Sequence, residues 1–177
     1  MFFLARADAE AELPDLERLD LSVWAADHSL AWSGHERGAD LCFEENNGDS
    51  PWTQAHRPLL GQLLDILLEN ACKYSKPGTP IIVIAWREND GVLLAVSDQG
   101  CGIPAEDILR IFESFYRTES ARRLGFPGVG LGLAVAHRIV VAHRGTITVE
   151  SKPGCGSRFV VCLPWSPEGG QRILTSR

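Results

Sequence analysis

The stretch "RPLLGQLLDILLENACKY", residues 57–74, has the apolar spacing of one long amphipathic helix. Apolar side chains recur in it every three or four residues and form a single broad stripe: Leu59, Leu60, Leu63, Leu64, Leu67, Leu68 and Ala71. The "SKPGTP" that follows is rich in residues that end a helix. We therefore predict a helix from about residue 57 to residue 74, with this stripe facing the core.

Strand patterns lie on both sides of this helix. Residues 81–88 and 92–98 are β-branched and aliphatic runs, and the "NDG" between them is typical of a hairpin turn. Three more short strands are predicted, in residues 39–45, 145–151 and 157–164.

Three further segments have helical spacing. One helix is predicted from Leu19 to near Gly34 or Gly38, a second restarts at Pro104, and a third covers residues 129–143. A charged loop at residues 114–128 separates the last two. This order predicts an α+β two-layer sandwich, in which a mixed, mostly antiparallel sheet of about five strands packs on about three helices.

The bulk composition limits the class of protein. A chain of 177 residues that is 45% hydrophobic is long enough for one domain with its own core. Its apolar runs are far shorter than the roughly 18 to 20 residues that span a bilayer, so we expect no membrane contact by this domain. The opening "MFFLARADAEAE" lacks the basic start of a signal peptide.

Charge and cysteine usage narrow the class further. Residues 1–50 carry 12 acidic and 3 basic side chains, which argues against a nucleic-acid partner, because such partners need a basic surface. The five cysteines form no CxxC pair and are odd in number. We expect reduced thiols and a cytoplasmic location.

Polar side chains interrupt the apolar patterns at two places. Lys73 and Tyr74 follow Asn70 by three and four residues, so all three share one face of the predicted helix. In "SDQGCGIP", Asp98 ends a strand and precedes Gly100 and Gly102. Each pattern has an ordinary structural explanation, an amphipathic helix and a tight turn, and each also suits a ligand.

A third place is the glycine-rich "GFPGVGLGLAVAHRIVVAHRG", residues 125–145. It lacks the lysine of a Walker loop and the preceding strand of a dinucleotide-binding fingerprint. The protein-kinase motifs H-R-D and D-F-G are also absent from the sequence. By itself this segment is equally consistent with a flexible hinge before a helix.

Together and in this order, the motifs resemble the ATP-binding catalytic domain of bacterial sensor histidine kinases, in the GHKL or Bergerat-fold ATPase family. "LLENACKYS" resembles the N box, "SDQGCGIP" the first glycine box and "IFESFYR" the F box. "GVGLGL" resembles the second glycine box and "GCGSRF" the third. The resemblance implies a catalytic domain at residues 19–164, after a remnant of the dimerisation helix at 1–18 and before a tail at 165–177.

The resemblance implies ATP and Mg²⁺ as cofactors. Asp98 would accept the adenine amino group, Gly100 and Gly102 would leave room for the ring, and Asn70 would hold Mg²⁺. Catalytic roles would fall to Asn70, Lys73 and Arg117. An ATP lid at residues 103–127, here called the lid segment, would be anchored by Phe112 and Phe115. Nucleotide binding is implied for Asn70, Lys73, Tyr74, Asp98, Gly100, Gly102, Ile103, Phe112, Phe115, Arg122, Arg123, Gly128, Val129, Gly130, Leu131, Gly132, Leu133 and Ser157.

The implied partners are a dimerisation domain, which carries the histidine that accepts the phosphoryl group, and a downstream response regulator. No histidine of this sequence lies in the expected H-E-x-[KR]-[TN]-P box, so the acceptor belongs to another segment or chain. A full-length kinase of this kind can be anchored in a membrane elsewhere.

One position departs from the family pattern. Ile66 stands four residues before Asn70, where the family usually has a second asparagine, and the neighbouring Asp65 is rotated by roughly 100° on a helix. The sequence thus leaves three functions open: a protein-histidine kinase, a catalytically impaired nucleotide-binding regulatory module, and a protein-serine kinase of the anti-sigma-factor type.

Overall fold

The computed structural model describes residues 13–46 and 48–167, which alternate between strands and helices. In chain order the elements are β1 (Glu17–Asp20), α1 (Leu21–Ala31), β2 (Leu41–Glu44), β3 (Trp52–Ala55), α2 (Arg57–Tyr74), β4 (Ile81–Glu88), β5 (Gly91–Asp98), α3 (Glu119–Arg123), α4 (Gly132–Ala142), β6 (Thr146–Ser151) and β7 (Ser157–Pro164). Within these ranges, no helix combines the length and the apolar character needed to cross a membrane.

The strands form two sheets. The larger has five strands in the order β2-β4-β5-β7-β6, and the smaller pairs β1 with β3. In the larger sheet β2 runs parallel to β4, and every other neighbouring pair is antiparallel. The predicted two-layer class and the mostly antiparallel five-stranded sheet are confirmed.

Helix α2 supplies the centre of the helical layer, and its predicted bounds are confirmed. His56 caps its first turn by accepting a hydrogen bond from the Leu59 N–H at 3.4 Å, and Pro58 lies in that turn. Five leucines of the predicted stripe are almost fully buried, and each stabilises the fold by about 1.5–3 kcal/mol: Leu60, Leu63, Leu64, Leu67 and Leu68. The helix packs against β5 and α4, so its polar face is left for the site.

The small sheet was missed by sequence reasoning. The predicted first helix starts two residues late, at Leu21, because the Asp20 side chain accepts hydrogen bonds from the N–H groups of Ser22 and Val23 and caps it there. The preceding residues pair instead with Trp52–Ala55, which lies far along the chain. Residues 1–12 of the predicted dimerisation-helix remnant lie outside the described residues, and Glu17 belongs to β1.

The helix predicted to restart at Pro104 is wrong. The segment contains only a short 3-10 turn, Ala105–Asp107, followed by further turns. Phe115 adopts a positive φ of 66°, and its N–H donates to the Gly130 carbonyl at 2.8 Å. That contact turns the chain toward the start of α4, so a helix cannot continue through residue 115.

The start of the predicted tail packs on the fold. The guanidinium of Arg87 lies 3.8 Å from the centre of the Trp165 ring, and the Ser166 N–H donates to the Trp52 carbonyl at 2.8 Å. These contacts tie the end of β7 to β3 and β4. Residues 168–177 of the predicted tail lie outside the described residues.

His143 joins the end of α4 to the start of α2. Its Nδ1 lies 2.7 Å from the Ile139 carbonyl, and its Nε2 lies 3.1 Å from the backbone nitrogen of His56. A carbonyl can only accept and a backbone N–H can only donate, so Nδ1 carries the proton and Nε2 carries none. Burial lowers the pKa of His143, and the nearby His56 lowers it further.

This arrangement predicts acid sensitivity. The folded state holds His143 neutral, whereas the unfolded state takes up a proton near pH 6.5, so stability is present above about pH 6.5 and is lost as the pH falls toward the lowered pKa. We expect the urea concentration at the midpoint of unfolding to decrease when the pH is lowered from 7.5 to 5.5. His143→Gln, which keeps a donor and an acceptor, should flatten this dependence. An unchanged pH profile in that variant would contradict the assignment.

Candidate functional site

A cavity of about 430 Å³ opens between the second half of α2, the end of β5, the lid segment and the start of α4. The predicted site residues that line it are Asn70, Lys73, Tyr74, Asp98, Gly102, Ile103, Arg117, Gly128, Val129, Gly130, Leu131, Gly132, Leu133 and Ser157. Those that do not line it are Gly100, Phe112, Phe115, Arg122 and Arg123. The fold therefore brings together most of the residues that the five sequence boxes singled out.

The last two turns of α2 supply the polar groups of one wall. Within the part of the chain that the structure describes, the Asn70 Nδ2 atom is buried and has no hydrogen-bond partner. The Lys73 ammonium lies 4.7 Å from the centre of the Tyr74 ring. A Cβ on Gly128 would lie only 3.0 Å from the Lys73 Nζ atom. An unpartnered donor and an ammonium beside a glycine loop suit an anionic ligand.

Asp98 supplies a partly buried carboxylate where β5 ends. Its Oδ1 accepts a hydrogen bond from the Gly100 N–H at 2.7 Å, and the Ser157 N–H also donates to the carboxylate. Burial raises the pKa of Asp98, although these two hydrogen bonds act in the opposite direction. A desolvated carboxylate that also lines a cavity is well placed to accept a hydrogen bond from a ligand donor.

Gly100 and Gly102, for which the resemblance implied space for a ring, both pack against protein backbone. A Cβ on Gly100 would lie 2.3 Å from the Tyr74 carbonyl oxygen, and one on Gly102 would lie 1.9 Å from the Lys152 carbonyl oxygen. Gly102 also has a positive φ of 68°. Both glycines are therefore required because protein backbone passes directly against them.

Arg117 belongs to the lid segment and lines the cavity. Its Nη2 atom donates to the carbonyl of Phe126 and, at 3.3 Å, to that of Ala121. Its Nε atom is buried and has no hydrogen-bond partner among residues 13–46 and 48–167. Arg122 and Arg123 are exposed on α3 and do not reach the cavity, so of the three arginines only Arg117 is in position for a ligand.

The two phenylalanines predicted to anchor the lid segment lie in different environments. Phe112 packs against the core, with its ring centre 5.8 Å from that of His137. Phe115 is 70% exposed and contributes its backbone N–H to Gly130. Anchoring by side-chain packing thus applies to Phe112, whereas Phe115 is held through its backbone.

The start of α4 presents backbone N–H groups beside the cavity. Gly128 and Gly130 have positive φ angles of 116° and 80°, and the N-cap residue Leu131 offers no side-chain hydrogen bond to the helix. The first N–H groups of a helix lack partners inside the helix and carry the positive end of its dipole. This end of α4 therefore suits phosphate oxygens.

The neighbouring residues Ile66 and Asp65 of α2 contact different parts of the fold. A Cβ on Gly132 would lie 3.4 Å from the Ile66 Cγ2 atom, so Ile66 contacts the start of α4. The Asp65 Oδ1 atom instead accepts from Trp32 Nε1 at 2.9 Å and lies 2.7 Å from His28 Nε2. Asp65 is thus engaged by the α1 side of the fold and does not replace the asparagine that the sequence pattern lacks.

Residues 55–167 match the profile of the histidine kinase-, DNA gyrase B-, and HSP90-like ATPase family. The chain belongs to this ATPase family. The match covers α2 through β7, the same part of the fold that builds the cavity.

Curated relatives in the ATPase family are sensor kinases. The chain is 35% identical over 164 residues to the sensor-like histidine kinase SenX3 of Mycobacterium tuberculosis, covering 91% of this chain and 39% of that protein. It is 35% identical over 169 residues to the sensor histidine kinase CusS of Escherichia coli K12, covering 93% of this chain and 34% of that protein. The chain thus spans between a third and two fifths of the length of these relatives.

Solved structures agree with the ATPase-family fold. The mycobacterial sensor histidine kinase MprB superposes with a TM-score of 0.72 at 28% identity, over 87% of this chain and all of that chain. Full-length ShkA in complex with AMPPNP gives a TM-score of 0.75 at 25% identity, over 89% of this chain and 33% of that chain.

Several residues of this ATPase-family cavity were missed by sequence reasoning. They are Glu69, Cys101, Ile111, Tyr116, Thr118, Ala121, Pro127 and Phe159. Glu69 and Cys101 are chain neighbours of predicted residues, so proximity in sequence could have found them. Tyr116 is fixed by a hydrogen bond from its hydroxyl to Asp107, and Ile111 and Phe159 are apolar core residues whose pattern indicates burial alone.

Proposed function

We propose that this chain is the ATP-binding catalytic domain of a sensor histidine kinase, which transfers the γ-phosphoryl group of ATP to a histidine on a dimerisation domain. The observation that carries the proposal is the combination in one cavity of the Asp98 carboxylate, the Lys73 ammonium and the uncapped start of α4. A carboxylate suits the amino group of adenine, and the other two suit phosphate. Membership of the ATPase family supports the same ligand, as does the AMPPNP complex of the similar protein ShkA.

Adenine recognition falls to Asp98. Its carboxylate accepts a hydrogen bond from the exocyclic amino group of adenine, whereas guanine presents a carbonyl oxygen at that position. Two backbone N–H groups already fix the orientation of the carboxylate. The surrounding wall is apolar, with Ile103 and Phe159 lining the cavity, and it suits a flat aromatic ring.

Phosphate binding falls to Lys73, the N–H groups at the start of α4, and Arg117. The Arg117 Nη2 atom donates to carbonyls of the lid segment, which leaves the Nε and Nη1 donors for phosphate oxygens. Phosphoryl transfer depends mainly on positioning and on the neutralisation of charge, so these fixed donors contribute by orienting the γ-phosphoryl group toward the acceptor histidine.

The residues present fit a magnesium ion bound mainly through the nucleotide. Asn70 and Glu69 both line the cavity, and their side chains carry an amide oxygen and a carboxylate that could hold the ion. Mg²⁺ in such sites keeps several waters and takes only one or two protein ligands besides phosphate oxygens. When bound, it neutralises charge that develops on the phosphates. Asn70 would hold it directly, and its Nδ2 would remain free to donate to a phosphate.

The partners in this proposal are a dimerisation domain and, downstream, a response regulator. The names of the relatives SenX3 and CusS describe sensor histidine kinases, which supports this assignment. Val129 lines the cavity and is 65% exposed, so the cavity is accessible to an incoming histidine.

One observation favours a second candidate, a nucleotide-binding module with little kinase activity. Ile66 packs toward Gly132 at the place where the family pattern has a second asparagine, and it offers no ligand to metal or phosphate. In that case binding of adenine persists, because Asp98 lies on a different element.

The proposed function is tested by calorimetric titration with ADP, GDP and a non-hydrolysable ATP analogue, with and without Mg²⁺. We expect adenine nucleotides to bind and GDP to bind at least about tenfold more weakly. No binding of ADP by the folded protein would overturn the proposal.

Ile66→Asn distinguishes the two candidates. Incubation with labelled ATP, Mg²⁺ and the dimerisation domains of the relatives should give an acid-labile phosphohistidine with the wild-type protein if it is an active kinase. A wild-type protein that binds ADP but labels no acceptor, together with an Ile66→Asn variant that does label it, would assign the second candidate. Asp65→Asn, on the side of α2 that contacts α1, is the matched control and should change neither result.

A further inference from the structure

Arg37 is a buried cation outside the cavity, in the turn before β2, with 5% of its surface exposed. Its Nη1 atom donates to the carbonyls of Cys72 at 2.8 Å and Ser75 at 3.1 Å. Its Nη2 atom donates to the Ser75 hydroxyl at 3.2 Å and to the Thr79 carbonyl at 3.3 Å. Its Nε atom donates to the Asp40 carboxylate, so all five donors of the guanidinium are used.

Two of these acceptors, the carbonyls of Cys72 and Ser75, are groups that the end of α2 leaves without partners. The last carbonyls of α2 have no N–H group ahead of them within the helix, and a cation there also complements the helix dipole. Asp40 completes the contact, since its carboxylate accepts from the Gly78 N–H at 3.0 Å as well as from Arg37. Arg37 and Asp40 thus tie the end of α2, and the turn that follows it, to the start of β2.

The same end of α2 carries part of one wall of the cavity. Lys73 and Tyr74 lie between Cys72 and Ser75, whose carbonyls both accept from Arg37, and both line the cavity. The Tyr74 carbonyl accepts a hydrogen bond from the Cys101 N–H at 3.1 Å, and Gly100 packs directly against that carbonyl. The position of this helical turn therefore also sets the position of the loop that follows Asp98.

We propose that Arg37 is a positioning residue for the nucleotide site, which fixes the last turn of α2 and, through the Tyr74 carbonyl, the loop at residues 98–102. Arg37 itself touches no ligand, since it does not line the cavity. The proposal rests on the proposed function for its effect on nucleotide binding, whereas its effect on the loop stands independently of any ligand.

The test compares Arg37→Met and Arg37→Lys with Thr53→Val. Thr53 is fully buried, and its hydroxyl donates to the Pro164 carbonyl at 2.8 Å, so Thr53→Val removes a buried hydrogen bond away from α2. We expect Arg37→Met to weaken ADP binding about tenfold or more. Arg37→Lys should recover part of this loss, because one ammonium reaches only some of the acceptors. Thr53→Val should lower the melting temperature and leave the affinity for ADP unchanged.

Hydrogen exchange shows whether replacing Arg37 alters the loop at residues 98–102. With Arg37 replaced, the amide of Cys101 should exchange faster, while that of Val83 in the central sheet should not. Should Arg37→Met fail to fold, Arg37→Lys is measured at a temperature where circular dichroism shows it folded. ADP affinity within about twofold of wild type and unchanged exchange at Cys101 would overturn the proposal. A wild-type protein that binds no ADP would overturn the proposed function, and exchange at Cys101 would still decide the role of Arg37.

Discussion

Replacement of Asp98 by asparagine is expected to weaken ADP binding by about 10- to 100-fold, because an amide loses the charge-assisted hydrogen bond to the adenine amino group. The same change brings an NH₂ group that can donate to the carbonyl oxygen of guanine. The ratio of GDP to ADP dissociation constants should therefore fall toward one in Asp98→Asn. Calorimetric titration with both nucleotides measures the two effects together.

The matched control for this variant is Asp65→Asn, which makes the same chemical change on α2, where the carboxylate contacts α1. It should leave both affinities unchanged. Equal losses in the two variants would show that the effect comes from net charge and would contradict adenine recognition by Asp98.

The pH dependence of ADP binding is a second test of the role of Asp98. Burial raises the pKa of Asp98, so its carboxyl takes up a proton at a higher pH than an ordinary aspartate does. Only the ionised form accepts from the adenine amino group with both oxygens available. ADP binding should therefore weaken as the pH falls toward that raised pKa, and the dependence should be absent in Asp98→Asn.

Gly156→Ala is expected to destabilise the fold by roughly 2–5 kcal/mol. Gly156 has a φ of 85°, and a Cβ there would lie 2.0 Å from the Asp98 carbonyl oxygen. The methyl group would force the third glycine box away from the end of β5. Urea denaturation followed by circular dichroism measures the loss.

Gly154 provides the matched control in the same turn. Its φ of 79° is almost the same, but a Cβ there would meet nothing within 4 Å among the described residues. Gly154→Ala should therefore cost only the strain of the left-handed backbone, about 1 kcal/mol. Similar losses in both variants would show that backbone strain alone, and not the contact with Asp98, makes Gly156 necessary.

The parts of the fold that could be predicted are those encoded within one element. The stripe on residues 57–74 gave the bounds of α2, and the runs around "NDG" gave the β4–β5 hairpin. Helical spacing misled at residues 104–116, because the backbone of Phe115 is held by Gly130 and not by its own neighbours. The pairing of β1 with β3 was likewise invisible, since neither four-residue strand has a pattern strong enough to indicate it.

For the site, the sequence identified the chemical groups and the structure assigned their geometry. The order of five boxes predicted that Asn70, Lys73 and Asp98 belong to one site, and all three line the cavity. The resemblance also implied Arg122 and Arg123 as phosphate-binding residues, yet both are exposed on the short helix α3 and do not line the cavity. Charge in a loop indicates which groups are available and cannot indicate which way the loop faces.

The sequence by itself determined the family, through the resemblance carried by five ordered boxes. It also determined the two-layer class, because periodicity specifies local structure and the face on which a side chain lies. Only the tertiary structure decided that Gly100, Gly102 and Gly156 serve the packing of backbone on backbone, and that Arg37 satisfies the carbonyls at the end of α2. These contacts join segments far apart in the chain. The hydrogen bonds of Arg37 and the contacts between glycines and carbonyls depend on distances between these segments, and those distances are set only when the chain has folded.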